Sequence, residues 1–295
     1  MAVENAMDDS GAKDRNTGTP PAPGEGQAEK PRIVIGLDTS IVARETLSLA
    51  ARLAASVDAR LSGVFVEDED LLNLAGLPFA REISFSGQVS PVDTDRMLRA
   101  MRAQAESARR VLSRIADEAH VEWSFDVRRG RPLRSLAAAA RHEDTLVIRA
   151  PGSSPREVGR AVHAATREAR ADVLLVAKRA GLKGAVPPKS AVQGVKPGRP
   201  VVAIDEGSSL GESCTAFAEG LARRLGSTFQ RVRARGASAA DIAEAAHRAG
   251  VGLLVANAGW LGNDEDAARL SMAAGCPVLL LGSERTNVPD LKTDE

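Results

Sequence analysis

Asp38 and Asp205 each close a short apolar run at a turn of small residues. A side chain there, at the carboxyl end of a buried strand, is placed to meet a ligand. The first stretch reads Arg32-Ile33-Val34-Ile35-Gly36-Leu37-Asp38-Thr39-Ser40, the second Pro200-Val201-Val202-Ala203-Ile204-Asp205-Glu206-Gly207-Ser208. A further set, Arg149-Ala150-Pro151-Gly152-Ser153-Ser154-Pro155-Arg156-Glu157, puts glycine, hydroxyls and cations ahead of a helix pattern, a combination able to contact an anion. The same residues support a local reading. Ser154 suits an N-cap, Pro155 the first helical position, and Glu157 completes a Ser-x-x-Glu capping box. The helix's orphan N–H groups then bond the chain's own side chains, and a carboxylate stands where a phosphate would sit. Capping is the preferred reading.

Glu67-Asp68-Glu69-Asp70 could hold Mg²⁺ or Ca²⁺. The simpler reading is a solvated helix start, with Leu71, Leu72 and Leu74 as that helix's apolar face. The stretch from Leu71 to Val92 could lid the cleft above the first and fourth strands, though packing on the chain's own surface is preferred. His120, His142, His163 and His247 show no zinc spacing. His142 and His247 fall near the ends of equivalent helices, where an interaction with the helix dipole explains them. Cys214 and Cys276 read as inert core thiols. No Gly-x-Ser-x-Gly elbow is present, so neither a catalytic residue nor a metal ligand is assigned.

The elements that must position these residues alternate strand and helix. Ile33 to Leu37 reads as a buried parallel strand and Leu61 to Val66 as a second. Arg96 to Ala119 is a helix with one apolar stripe, through Leu98, Met101, Ala105, Ala108, Leu112, Ile115 and Ala119. Val121, Trp123, Phe125 and Val127 alternate with polar residues in a half-open strand. A helix follows over Leu133 to Ala140. Thr145 to Ile148, a helix from Pro155, and Val173 to Ala177 complete an α/β unit with a parallel sheet. The pattern then restarts. Val127-Arg128-Arg129-Gly130 recurs as Val232-Arg233-Ala234-Arg235-Gly236, far closer to Asp205 than the first copy is to Asp38. A strand and the long helix are missing from the second copy. It keeps strands near Val201–Ile204, Thr228–Val232, Leu253–Ala256 and Val278–Leu281.

The predicted organisation is a disordered tail over 1–30, a domain over 31–178, a cationic linker over 179–198, an abbreviated domain over 199–283 and a tail over 284–295. The final strand of each domain, strongly apolar, is expected to pair with the other within one chain. The 295 residues carry 39 basic and 39 acidic side chains and no tyrosine, which argues against a nucleic-acid partner. No apolar run is long enough to span a bilayer, so no membrane partner is expected, and a reducing cytoplasm is the simple reading of the cysteine usage.

In this order the motifs resemble the universal stress protein family. Asp38 and Asp205 resemble its strand-one aspartate. Val127 to Gly130 with Pro132 and Leu133 is similar to the stretch before its third helix. Gly275-Cys276-Pro277-Val278-Leu279-Leu280 is similar to its closing strand. The resemblance implies two open, Rossmann-like parallel-sheet domains of the adenine nucleotide alpha hydrolase type, the second truncated. It also implies an adenosine site at Asp38, Ser40 and Val66, with phosphates near Arg149, Gly152, Ser153 or Arg156. Nucleotide-binding members resemble one another in a Gly-x2-Gly-x9-Gly-Ser/Thr loop. Here Gly152 and Gly159 stand too close together for that motif, and Arg160 replaces the hydroxyl residue. In the second domain Gly259-Trp260-Leu261-Gly262 resembles the loop's first half, but Asn263-Asp264-Glu265-Asp266 follows and would repel a triphosphate. The expectation is a non-enzymatic regulatory or interaction protein with a degenerate nucleotide site and no cofactor. Its partners would be an unidentified protein and, as an option, a second copy of itself. The alternative is a weak ATP or AMP binder using the first domain's cleft.

Overall fold

A computed structural model of the chain describes residues 30–38, 41–83, 86–149, 154–176, 199–234 and 236–282. The expected tails and linker lie almost wholly outside them. The first half runs β1 (Arg32–Leu37), α1 (Ile41–Ser56), β2 (Arg60–Asp68), α2 (Glu69–Ala75), β3 (Arg81–Ile83), β4 (Val89–Pro91), α3 (Thr94–Glu118), β5 (Trp123–Gly130), α4 (Pro132–Ala137), β6 (Thr145–Arg149), α5 (Pro155–His163) and β7 (Asp172–Val176). The second runs β8 (Val201–Asp205), α6 (Ser209–Arg224), β9 (Phe229–Arg233), α7 (Ala239–Ala249), β10 (Leu253–Asn257), α8 (Asp264–Ala274) and β11 (Val278–Leu281).

Local chemistry explains most of these boundaries. Asp93 caps α3, accepting from the backbone N–H groups of Asp95 and Arg96. Met101, Ala105, Ala108, Leu112 and Ala116 form its buried stripe. That stripe lies close on the sheet because β2 offers Gly63, where a Cβ would come within 2.6 Å of Leu37 and 2.7 Å of Leu112. Ser238 and Asp241 make a capping box at the start of α7, and Gly250 ends it in the left-handed conformation.

Nine strands form one sheet, in the order β5-β2-β1-β6-β7-β11-β10-β8-β9. Every neighbouring pair is parallel except β7 and β11, which run antiparallel. At that seam Val278 faces Leu175, Leu279 faces Leu174 and Leu280 faces Val173. All six side chains are at most 1% exposed. Outward from the seam each half places its last strand, the strand before it, then its first: β7, β6, β1 and β11, β10, β8. The first half inserts β2 before β5, whereas β9 pairs directly with β8. The halves thus share one continuous sheet, joined through the final strands that were expected to pair.

Two apolar layers cover the sheet. One packs α1, α3 and α6 on one face, the other α4, α5, α7 and α8 on the opposite face. Both layers cross the seam. On the second face α5 and α8 pack together. On the first, the Arg224 guanidinium donates to the Ser56 carbonyl at 3.2 Å. A cavity of about 50 Å³, lined by Leu53, Val57, Phe217, Leu221 and Leu279 among others, remains between α1 and α6.

Three expectations need correction. The helix over Leu133 to Ala140 stops at Ala137, because Asp144 draws the backbone N–H of Arg141 and the Arg32 side chain and turns the chain towards β6. The leucines of α2 do not form a buried face, since Leu71 and Leu74 are exposed and only Ala75 is buried. The stretch beyond α2 does not bury its large apolar residues, for Leu77, Phe79, Ile83 and Val89 are exposed. It forms the β3–β4 hairpin, held to α3 by an ion pair between Arg96 and Glu82. Among the described residues no helix is long and apolar enough to cross a membrane.

Candidate functional site

The carboxyl edge of the first half-sheet gathers the predicted residues that can be described. The register pairs Leu37 with Phe65, and Asp38 and Val66 are the residues that follow them in sequence. On the other side of β1, β6 ends at Arg149. The Arg149 guanidinium reaches across and forms an ion pair with the Asp38 carboxylate. Asp38 is about half exposed, while Arg149 is 11% exposed. Burial pulls the guanidinium below its ordinary value, and arginine nonetheless stays protonated. The aspartate meant to face an adenosine therefore faces a cation of its own chain. Ser40, Gly152 and Ser153 lie outside the described residues.

Further along the chain, α5 begins with a reciprocal capping box. Ser154 Oγ accepts from the Glu157 backbone N–H at 3.2 Å, and Glu157 Oε2 accepts from the Ser154 backbone N–H at 3.0 Å. Pro155 contributes no N–H. Ser154 thus takes one first-turn N–H with its side chain, and the Glu157 carboxylate stands at the helix end where an anion would be held.

The acidic run is divided among separate partners. Glu67 accepts from Arg129 at 2.9 and 3.2 Å. Asp68 caps α2 by accepting from the Asp70 backbone N–H at 2.9 Å. Asp70 pairs with Arg131 at 3.2 Å. Among the described residues no three metal-binding side chains converge.

The second half repeats the arrangement with a different arginine. Asp205, 2% exposed, accepts from Arg231 at 2.5 and 2.9 Å and from the Gly207 backbone N–H at 2.8 Å. The Arg231 bonds first, then that of Gly207, hold its carboxyl below the usual range. Beyond β10, Asn257 Oδ1 accepts from the Gly259 backbone N–H at 2.7 Å. Asn263 Oδ1 accepts from the backbone N–H groups of Glu265 and Asp266 at 3.0 and 3.1 Å. Asp266 accepts in return from that of Asn263 at 3.2 Å.

Both strand-one aspartates are thus met by arginine, from β6 in one half and from β9 in the other. Sequence reading assigned Arg149 to an incoming anion and overlooked Arg231. No sequence signal marked it, because only the pairing of β8 with β9, Ala203 facing Arg231, brings that arginine towards Asp205. His142 lies 3.8 Å from Glu143, and His247 sits in the last turn of α7. Burial pushes the Cys214 thiol up to about 12 and the Cys276 thiol up to about 11.

No protein-family model matches the chain, and no curated protein sequence does. Solved structures do. A universal stress protein from Archaeoglobus fulgidus superposes with a TM-score of 0.54 at 11% identity, over 87% of this chain and 97% of that one. The fold is that of a universal stress protein. A member of the same family from Burkholderia pseudomallei shows 22% identity over 51% of this chain and 98% of its own, with a TM-score of 0.32. The cytoplasmic domain of a prokaryotic cation chloride cotransporter covers 86% of this chain and 97% of its own at 13% identity, with a TM-score of 0.46. Only the first of these scores bears on the fold. That likeness extends over most of the chain rather than over one half, and it carries no ligand or activity with it.

Proposed function

We propose that this chain is a non-enzymatic, cytoplasmic regulatory or interaction protein in which two universal-stress units, the second abbreviated, form an internal pseudo-dimer. In this reading the nucleotide clefts are filled by the chain's own side chains. The observation that carries it is the pair of arginine–aspartate contacts, Arg149 with Asp38 and Arg231 with Asp205. A carboxylate that must accept from a ribose or a base is of little use once a guanidinium occupies it. Displacing Arg149 would strand a largely buried cation, which is costly. The capping boxes of α5 and α8 add to the argument, because each supplies a carboxylate at the helix end where phosphate would bind.

The alternative, ATP or AMP held by Asp38, Ser40 and Val66 with Arg149, Gly152 and Ser153, requires Arg149 to leave Asp38 and turn to the phosphates. The test is the nucleotide content of the full chain, purified under native conditions and then denatured. The proposal expects none in stoichiometric amount, and ATP or AMP retained at one per chain would overturn it.

A further inference from the structure

The large apolar side chains that the described residues leave in water are concentrated in one stretch. Leu71, Leu74, Leu77, Phe79, Ile83 and Val89 are between 40% and 74% exposed. The others, Val127, Val232 and Met272, are scattered over β5, β9 and α8.

The β3–β4 hairpin within this stretch is amphipathic in the opposite sense to a strand pair lying on a core. Its register pairs Glu82 with Ser90, and Ile83 with Val89. Glu82 and Ser90 lie on the half-buried face. There Ser90 Oγ donates to Glu82 Oε1 at 3.3 Å and Arg96 donates to the same oxygen at 3.2 Å. Ile83 and Val89 stand opposite each other on the exposed face, with Arg81 and Pro91. A sheet with one wet face normally turns its apolar side inward. This one turns it outward and is anchored by polar bonds.

We propose that this outward face, with Phe79 and the exposed leucines of α2, is where a second copy of the chain docks, apolar face against apolar face. Three observations select a second copy. The first is area. At the observed exposures the six side chains present roughly 500 Å², taking about 150 Å² for each, the low end of the range for an aromatic side chain, because five of the six are smaller aliphatics. That is towards the upper end for a monomer's largest patch and most of the roughly 800 Å² each partner gives to a standard interface. The same patch used by both copies about a two-fold axis therefore suffices. The second is that the sheet edges at β7 and β11 are consumed inside the chain. The third is that the outer strands are blunted by charge. Asp126, Arg128 and Arg129 stand exposed along β5, and Arg231 and Arg233 along β9. The hairpin is the strand pair left uncovered and apolar. This inference is independent of the nucleotide reading.

The experiment is sedimentation velocity on the full chain over a range of concentrations, with Ile83→Glu and Phe79→Glu as test variants and Met272→Glu, on α8 in the other half, as control. The expected result is a reversible dimer in the micromolar range. It should weaken by about tenfold or more in each test variant and stay unchanged in the control. Both test positions are largely exposed, so the melting curves should match that of the unaltered chain. Should a variant melt early, hydrogen exchange of residues 79–91 in the unaltered chain decides instead, with protection rising as concentration rises. A chain that stays monomeric at about 100 µM, or a dimer weakened no more by the test variants than by Met272→Glu, overturns the proposal. So does exchange at 79–91 that ignores concentration.

Discussion

Residues 199–295 expressed without the first half should not fold. The second half contributes four strands to the sheet, and its last strand, β11, has β7 of the first half as one neighbour. Separation re-exposes part of Val278, Leu279 and Leu280, and of their partners Leu175, Leu174 and Val173. A fully buried aliphatic side chain contributes about 1.5–3 kcal/mol. If half of each of the fragment's own three side chains returns to water, its seam strand alone forfeits roughly 2–5 kcal/mol. A whole domain is stable by only about 5–15 kcal/mol. The loss of α5 against α8 comes on top of this. The fragment should elute as aggregate or unfolded chain, without a cooperative thermal transition by circular dichroism, while residues 31–295 stay folded. In the full chain, Leu279→Asp or Leu175→Asp should uncouple the halves, because each places a charge among side chains at most 1% exposed. A compact, monomeric 199–295 fragment with a cooperative melt would refute the reasoning and make the halves independent modules.

Other outcomes follow from single residues. Asn263→Ala removes the acceptor for two backbone N–H groups and should destabilise the second half by about 1 kcal/mol in a denaturant titration; Ser154→Ala should do the same at α5, by about 1 kcal/mol. The Asp205 carboxyl is held low by Arg231, so its contribution is present above the ordinary carboxylate pKa of about 3.9 and fades as pH falls below that value. Asp205→Asn should therefore lower stability at neutral pH and narrow its gap to the unaltered chain as the solution becomes acidic; a gap independent of pH would argue against the pair. Cys214 and Cys276 should both resist a thiol reagent at neutral pH and both react in denaturant, so one fast thiol in the native chain would contradict their burial.

The sheet was legible because its signals are local and strong. Buried runs such as Ile33 to Leu37 and Val201 to Ile204 admit little else, and the stripe of α3 follows helical spacing. The pairing of β7 with β11 could be anticipated because both are strongly apolar final strands. The helix caps at Ser154 and Asn263 were readable because a capping box is a contact within four residues. The hairpin was missed because β3 and β4 are three residues each, too short for an alternation to register. Its apolar residues read as a surface seeking its own core, and they turned outward instead. The arginine–aspartate pairs were missed because they depend on which strands lie side by side. Arg149 and Arg231 come from strands far from Asp38 and Asp205 in sequence, and only the register brings them together.

The most direct test of the account is a calorimetric titration of the full chain with ATP, alone and with Mg²⁺, beside the same titration of Asp38→Ala. With Arg149 seated on Asp38 and Glu157 closing the start of α5, the unaltered chain should bind no tighter than about millimolar, roughly 4 kcal/mol, and Asp38→Ala should not weaken it further. Micromolar binding that Asp38→Ala abolishes would contradict the account and restore the first half's cleft as a working nucleotide site.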